Sequence, residues 1–172
     1  MRAVKTDIWN SREWMENRYI CSSDRRTGLR LRCEKKINPE VKDSFVKLVK
    51  WIRDRFFFPI RIPVYVKCSE RIRARDGDLC VGIFFRPDNF ITEPYISIAT
   101  GDFEKLVSER GISQAKIAIL LPLLHELTHY FQWINSVALT PVGEERQATR
   151  YAQSLMEEYL DDLGLPDSSD ES

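Results

Sequence analysis

The feature that most restricts this chain is an apolar stretch, KIAILLPLLHELTHYFQWI at residues 116–134, that holds its only two histidines. Ser113 offers an N-cap, and the apolar spacing predicts a helix to about Asn135, with Pro122 expected to kink or divide it. His125 and His129 are four residues apart, so on a helix they share one face about 5–6 Å apart at Cβ. Two imidazoles at that spacing can converge on one metal ion. Glu126 sits one residue round the helix from His125, where its carboxylate can reach a water on that ion. The segment reads HELTH, an HExxH pattern. The plain alternative is a histidine pair satisfied within the core. Against it, two imidazoles and a carboxylate among LLPLL and YFQWI would be costly without a shared purpose.

Two histidines leave a zinc site one protein ligand short of the usual catalytic three. No third histidine exists, and the four cysteines (Cys21, Cys33, Cys68, Cys80) lie far upstream without CxxC spacing. A downstream carboxylate is therefore the natural candidate. Glu144 and Glu145 stand 15 and 16 residues after His129, near the start of a helix expected from Thr140-Pro141 to about Leu163. The loop at 136–142 can stretch roughly 23 Å, enough to return the chain over the motif helix. Helical phase leaves both glutamates open as ligands, and either could instead complement the helix dipole.

Upstream, Asn38-Pro39-Glu40 starts a helix on which Val41, Phe45, Leu48, Val49, Ile52 and Phe56 follow helical spacing until Pro59. Three strands are expected: Ile60–Cys68, Leu79–Phe85 after the Asp76-Gly77 turn, and Tyr95–Ala99. A short helix at 102–110 should stop at Gly111. Residues 1–37 read as an N-terminal extension, with a short helix at 7–19 and a strand at 29–33 as candidates. Residues 164–172, an acidic tail, are expected to be disordered. Cys68 and Cys80 are expected to pack as small hydrophobes. The order of elements over 38–163 describes an α+β domain with a small three-stranded sheet.

HELTH followed by GEERQATRYAQSLMEEYL resembles the ImmA/IrrE-type metallopeptidases, a gluzincin-like group. In that family a segment of the form E-x-x-A-N-x-F-A follows HExxH, and its first Glu is the third zinc ligand. Setting Ala148 and Ala152 on the two alanines puts Glu145 on the ligand, with Thr149 where the family carries Asn. The resemblance implies a zincin-like fold, bound Zn²⁺ on His125, His129 and Glu145, and peptide hydrolysis with Glu126 as general base. It also implies a protein or peptide substrate lying along an edge strand, Tyr95–Ala99 or its neighbour. Tyr130 and Tyr151 are, by type, the candidate oxyanion donors.

Charge and composition narrow the alternatives. Residues 1–75 carry 20 Lys+Arg against 9 Asp+Glu, balanced by an acidic second half, so the net charge is zero. The basic residues are dispersed and no nucleic-acid module is visible, so the two halves are expected to face each other or water. No apolar run approaches the roughly 20 residues that span a bilayer, and the charged N-terminus has no signal-like apolar core. A cytoplasmic protein is expected. Two further readings remain: a zinc-binding regulatory module acting through a protein or nucleic-acid partner, and a latent protease whose residues 1–37 block its own cleft.

Overall fold

Asn38 opens the first long helix of the computed structural model, which describes residues 7–22 and 24–164. In α1 (Pro39–Arg55) the Asn38 side-chain oxygen accepts the Glu40 N–H at 2.8 Å. Pro39 in the first turn has no N–H to leave unpaired. Val41, Phe45, Leu48, Val49 and Ile52 are all buried along one face. Each such side chain stabilises the fold by about 1.5–3 kcal/mol.

Strands β1 (Leu29–Cys33) and β2 (Ile62–Lys67) flank α1 and pair in parallel, Leu29 opposite Ile62 and Cys33 opposite Val66. A parallel pair needs a crossover of a dozen or more residues, and α1 supplies it. Next come a two-stranded arm, β3 (Ile72–Arg73) and β4 (Leu79–Cys80), then β5 (Gly82–Phe85) and β6 (Tyr95–Ala99). The main sheet has the order β1-β2-β6-β5, with β2 and β6 parallel and β5 antiparallel at the edge. It therefore has four strands, not the expected three, because residues 29–33 join it.

The single strand expected at 79–85 divides at Val81, since its first part pairs with β3 and its second with β6. The arm turns at Gly77, whose φ of +92° suits a residue without Cβ. Val64, Val66, Ile96 and Ile98 are fully buried, while Tyr65 and Tyr95 alternate to the exposed face.

After β6 come α2 (Phe103–Arg110), α3 (Ile112–Ile134) and α4 (Pro141–Asp162). Gly111, at φ +83°, stops α2 and precedes α3 directly, so the cap is not Ser113. Helix α3 continues through Pro122 without dividing. Thr140 caps α4, its hydroxyl accepting the Gly143 N–H at 3.1 Å. Packed against both α4 and the sheet, α3 forms the centre of the molecule. The result is a mixed α/β fold consistent with the α+β expectation.

The N-terminal residues are part of the same core. Only a single 3-10 turn, Glu13–Glu16, forms where a helix at 7–19 is expected. Trp9 nevertheless is 2% exposed, packing on Phe56 and Phe131 with its indole N–H donated to Thr128 Oγ1 at 3.0 Å. Ile8 and Ile20 are buried with it, whereas Met15 is exposed. Residues 1–6 and nearly all of the acidic tail lie outside the described residues.

The charge asymmetry resolves partly into contacts between the halves. Arg26 and Arg61 meet Glu93, Arg55 meets Asp162 and Arg71 meets Asp102. All four cysteines are unpaired; Cys68 is exposed, contrary to expectation, and Cys80 is half-buried. No helix among the described residues is long and apolar enough to cross a membrane.

Candidate metal centre

Helix α3 buries Leu123, Leu124, Leu127, Thr128, Tyr130 and Phe131, which leaves one half-exposed strip carrying His125, Glu126 and His129. The first turns of α4 lie against that strip. Glu145 bridges the two imidazoles, with Oε2 at 3.1 Å from His125 Nε2 and Oε1 at 3.0 Å from His129 Nε2. The two Nε2 atoms are 3.3 Å apart. One ligand atom from each of His125, His129 and Glu145 falls within 4.8 Å of the others. Among the described residues this is the only cluster of three or more His, Cys, Asp or Glu side chains able to hold a metal ion, and the cysteines take no part in it.

The two glutamates left open by helical phase have different surroundings. Glu144 turns aside to Arg86 at 3.4 Å and is 19% exposed at its side chain, against 63% for Glu145. Burial and the neighbouring His129 lower the pKa of His125, partly opposed by Glu145. A neutral imidazole is the form that ligates a metal. Two nitrogen donors and one carboxylate are the donor set of a catalytic zinc site, so the residues fit such an ion.

His129 is held by a residue that the motif does not include. Its Nδ1 lies 2.8 Å from Gln132 Oε1, which directs Nε2 towards Glu145 and His125. Gln132 is itself fixed, donating through Nε2 to the Glu144 carbonyl oxygen at 3.0 Å and to Gln147 Oε1 at 2.9 Å. Its position three residues after His129 was the available signal, since i and i+3 are helix neighbours.

Glu126 is half-buried. Desolvation, then the charge of Glu145, raises its pKa to about 8, opposed by a backbone hydrogen bond from Phe84. Phe84 belongs to edge strand β5, so the carboxylate lies beside that strand. Gly82 makes the approach feasible: a Cβ there would lie 3.3 Å from Glu126 Cγ, 3.3 Å from Pro122 Cβ and 3.2 Å from Ile98 Cδ1. The strand edge and helix meet closely because residue 82 has no side chain.

A cleft of about 570 Å³ opens over the cluster, lined by β5, the β3–β4 arm and the start of α4. The strand beside it is β5; β6 is interior, so of the two expected edges only the neighbour of Tyr95–Ala99 is free. A second cavity of about 310 Å³ shares Gly82, His125 and Glu126 with the cleft and is lined by Val81, Ala118, Leu121 and Ala152.

The expected oxyanion donors do not line the cleft. Tyr130 donates to the Ile60 carbonyl oxygen at 2.6 Å and accepts the Ile60 N–H at 3.0 Å, deep in the core. Tyr151 accepts the Ile8 N–H at 3.4 Å. No described residue of 7–37 lines the cleft either, so this part of the chain braces the back of α3 instead of plugging its front.

The chain matches no protein-family model, no curated protein and no solved structure.

Proposed function

We propose that this chain is a zinc-dependent metallopeptidase of the ImmA/IrrE-like, zincin-like kind, cutting peptide bonds in a protein substrate. The observation that carries this reading is the convergence of His125, His129 and Glu145 in a cleft that also holds Glu126. The order of α1, sheet, α3 and α4 supports the resemblance drawn from HELTH and Glu145.

His125 and His129 through Nε2, and Glu145 through its carboxylate, would hold the ion. Zinc, when bound, supplies Lewis acidity that polarises a carbonyl and lowers the pKa of water. Glu126 carries the proton: its carboxylate accepts one from the attacking water and delivers it to the leaving amine. The outer edge of β5, which pairs with no further strand among the described residues, suits an extended substrate segment, which would add to the sheet as a further strand. Gln132 holds the His129 ring in the orientation that presents Nε2.

Zinc titration of the metal-free chain tests the ligand set. One ion per chain is expected, with tight binding abolished in His125→Ala and His129→Ala and strongly weakened in Glu145→Ala. Glu144→Ala should leave affinity nearly unchanged. A chain that takes up no stoichiometric zinc would contradict the proposal.

A further inference from the structure

The β3–β4 arm carries three arginines at alternate positions, 71, 73 and 75. Arg71 is neutralised by Asp102 at 2.5 Å. Arg73 and Arg75 line the cleft, and among the described residues neither has a carboxylate within ion-pair distance. Arg86, at the end of β5, is already matched by Glu144. Two unpaired cations therefore stand on one rim.

They are positioned as well as exposed. The Arg75 guanidinium lies over the Phe85 ring at 4.7 Å, and Phe85 stacks on Tyr95 at 5.0 Å with planes 15° apart. Stacking occupies the guanidinium face and leaves its edge N–H groups to fork onto a carboxylate. Arg73 Nη1 donates to the Gly77 carbonyl oxygen at 3.2 Å, anchoring that side chain to the arm's turn. The remaining acids of the cleft are Glu126 and Glu145, at the proposed metal end, and Asp76 and Asp78 stand exposed at the turn. The second cavity, beyond Glu126, is lined mainly by Val81, Ala118, Leu121, Pro122 and Ala152 and offers no cation. Within the cleft itself, the cations left without a carboxylate are those of the arm's rim.

We propose that the cleft selects extended segments carrying Asp or Glu side chains, which Arg73 and Arg75 bind while the backbone pairs with β5. That these segments are then cut rests on the peptidase reading; that they bind does not.

The test measures binding and cleavage separately, with peptides matched in length and differing only in Asp/Glu, Asn/Gln or Lys at the flanking positions. By fluorescence anisotropy, Glu126→Gln protein, with or without added zinc, should bind the acidic peptide about tenfold more tightly than the Lys peptide at low ionic strength. Added salt should shrink that difference. The preference should vanish in Arg73→Gln/Arg75→Gln and reverse in Arg73→Glu/Arg75→Glu. Both side chains are exposed, and thermal melts check that the variants stay folded. Equal binding of the three peptides, or a preference that survives both double variants, overturns the proposal. Acid-selective binding with no cleavage by the zinc-loaded wild type supports the groove and overturns the peptidase reading. Cleavage of all three at equal rates keeps the peptidase and overturns the groove.

Discussion

Gln132 Oε1 lies 2.8 Å from His129 Nδ1, and the same side chain donates to the Glu144 carbonyl oxygen at 3.0 Å. One amide thus links the motif helix to the turn that presents Glu145. An acceptor on Nδ1 fixes the tautomer that leaves Nε2 free for a metal, and raises the basicity of that nitrogen.

Replacing this amide should weaken the centre without touching a ligand. Gln132→Met is expected to lower zinc affinity by about 10–100-fold. Gln132→Glu keeps an acceptor for Nδ1 and should lose much less. Competition with a chelator of known affinity measures both. Equal affinity in the wild type and Gln132→Met would show that the contact has no part in holding the ring.

The N-terminal residues are a brace, so removing them should unmake the fold and not activate it. Trp9 is buried against Phe56 and Phe131 and bonds to Thr128 within HELTH itself. Trp9→Ala should cost about 3–5 kcal/mol by cavity formation, and the Thr128 hydroxyl, which still donates to the Leu124 carbonyl oxygen, loses the indole N–H it accepts. Deleting residues 1–37 removes β1 and should abolish cooperative unfolding in a denaturant titration. A truncated chain that melts as sharply as the full one would contradict this.

In the metal-free protein, Glu126 should give stability a negative slope with pH. Its folded pKa of about 8 lies above the ordinary value of 4.5, so between those limits the native state holds a proton that the unfolded chain has lost. Stability is then fully present below about pH 4.5 and declines as pH rises through 8, by on the order of a few kcal/mol. Glu126→Gln cannot titrate and should flatten that slope. Urea titrations of the metal-free proteins at pH 5, 7 and 9 compare them, and parallel slopes would refute the assignment.

Much of this was legible in the sequence because the signals were local. Asn38-Pro39, Asp76-Gly77, Gly111 and Thr140-Pro141 each mark a boundary through local capping or backbone chemistry, and the histidine spacing places both rings on one face. What escaped depends on contacts distant in sequence. Glu144 and Glu145 are equivalent by phase and separate only when Arg86, from another element, claims one of them. Trp9 acquires its place through Thr128, 119 residues away. The break at Val81 reflects a strand with two partners, which no alternation pattern within 79–85 reveals. Tyr130 looked available by type, yet Ile60 occupies its hydroxyl in both directions.

The most direct test of the central claim is peptide cleavage by zinc-loaded wild type and Glu126→Gln, with bound metal measured on the same samples. Glutamine is nearly isosteric but accepts no proton, and residue 126 is not among the three proposed ligands. The variant is expected to bind one zinc, melt like the wild type and lose about 10²–10⁴-fold in cleavage rate. Cleavage at the wild-type rate by a variant with full zinc content would contradict the account.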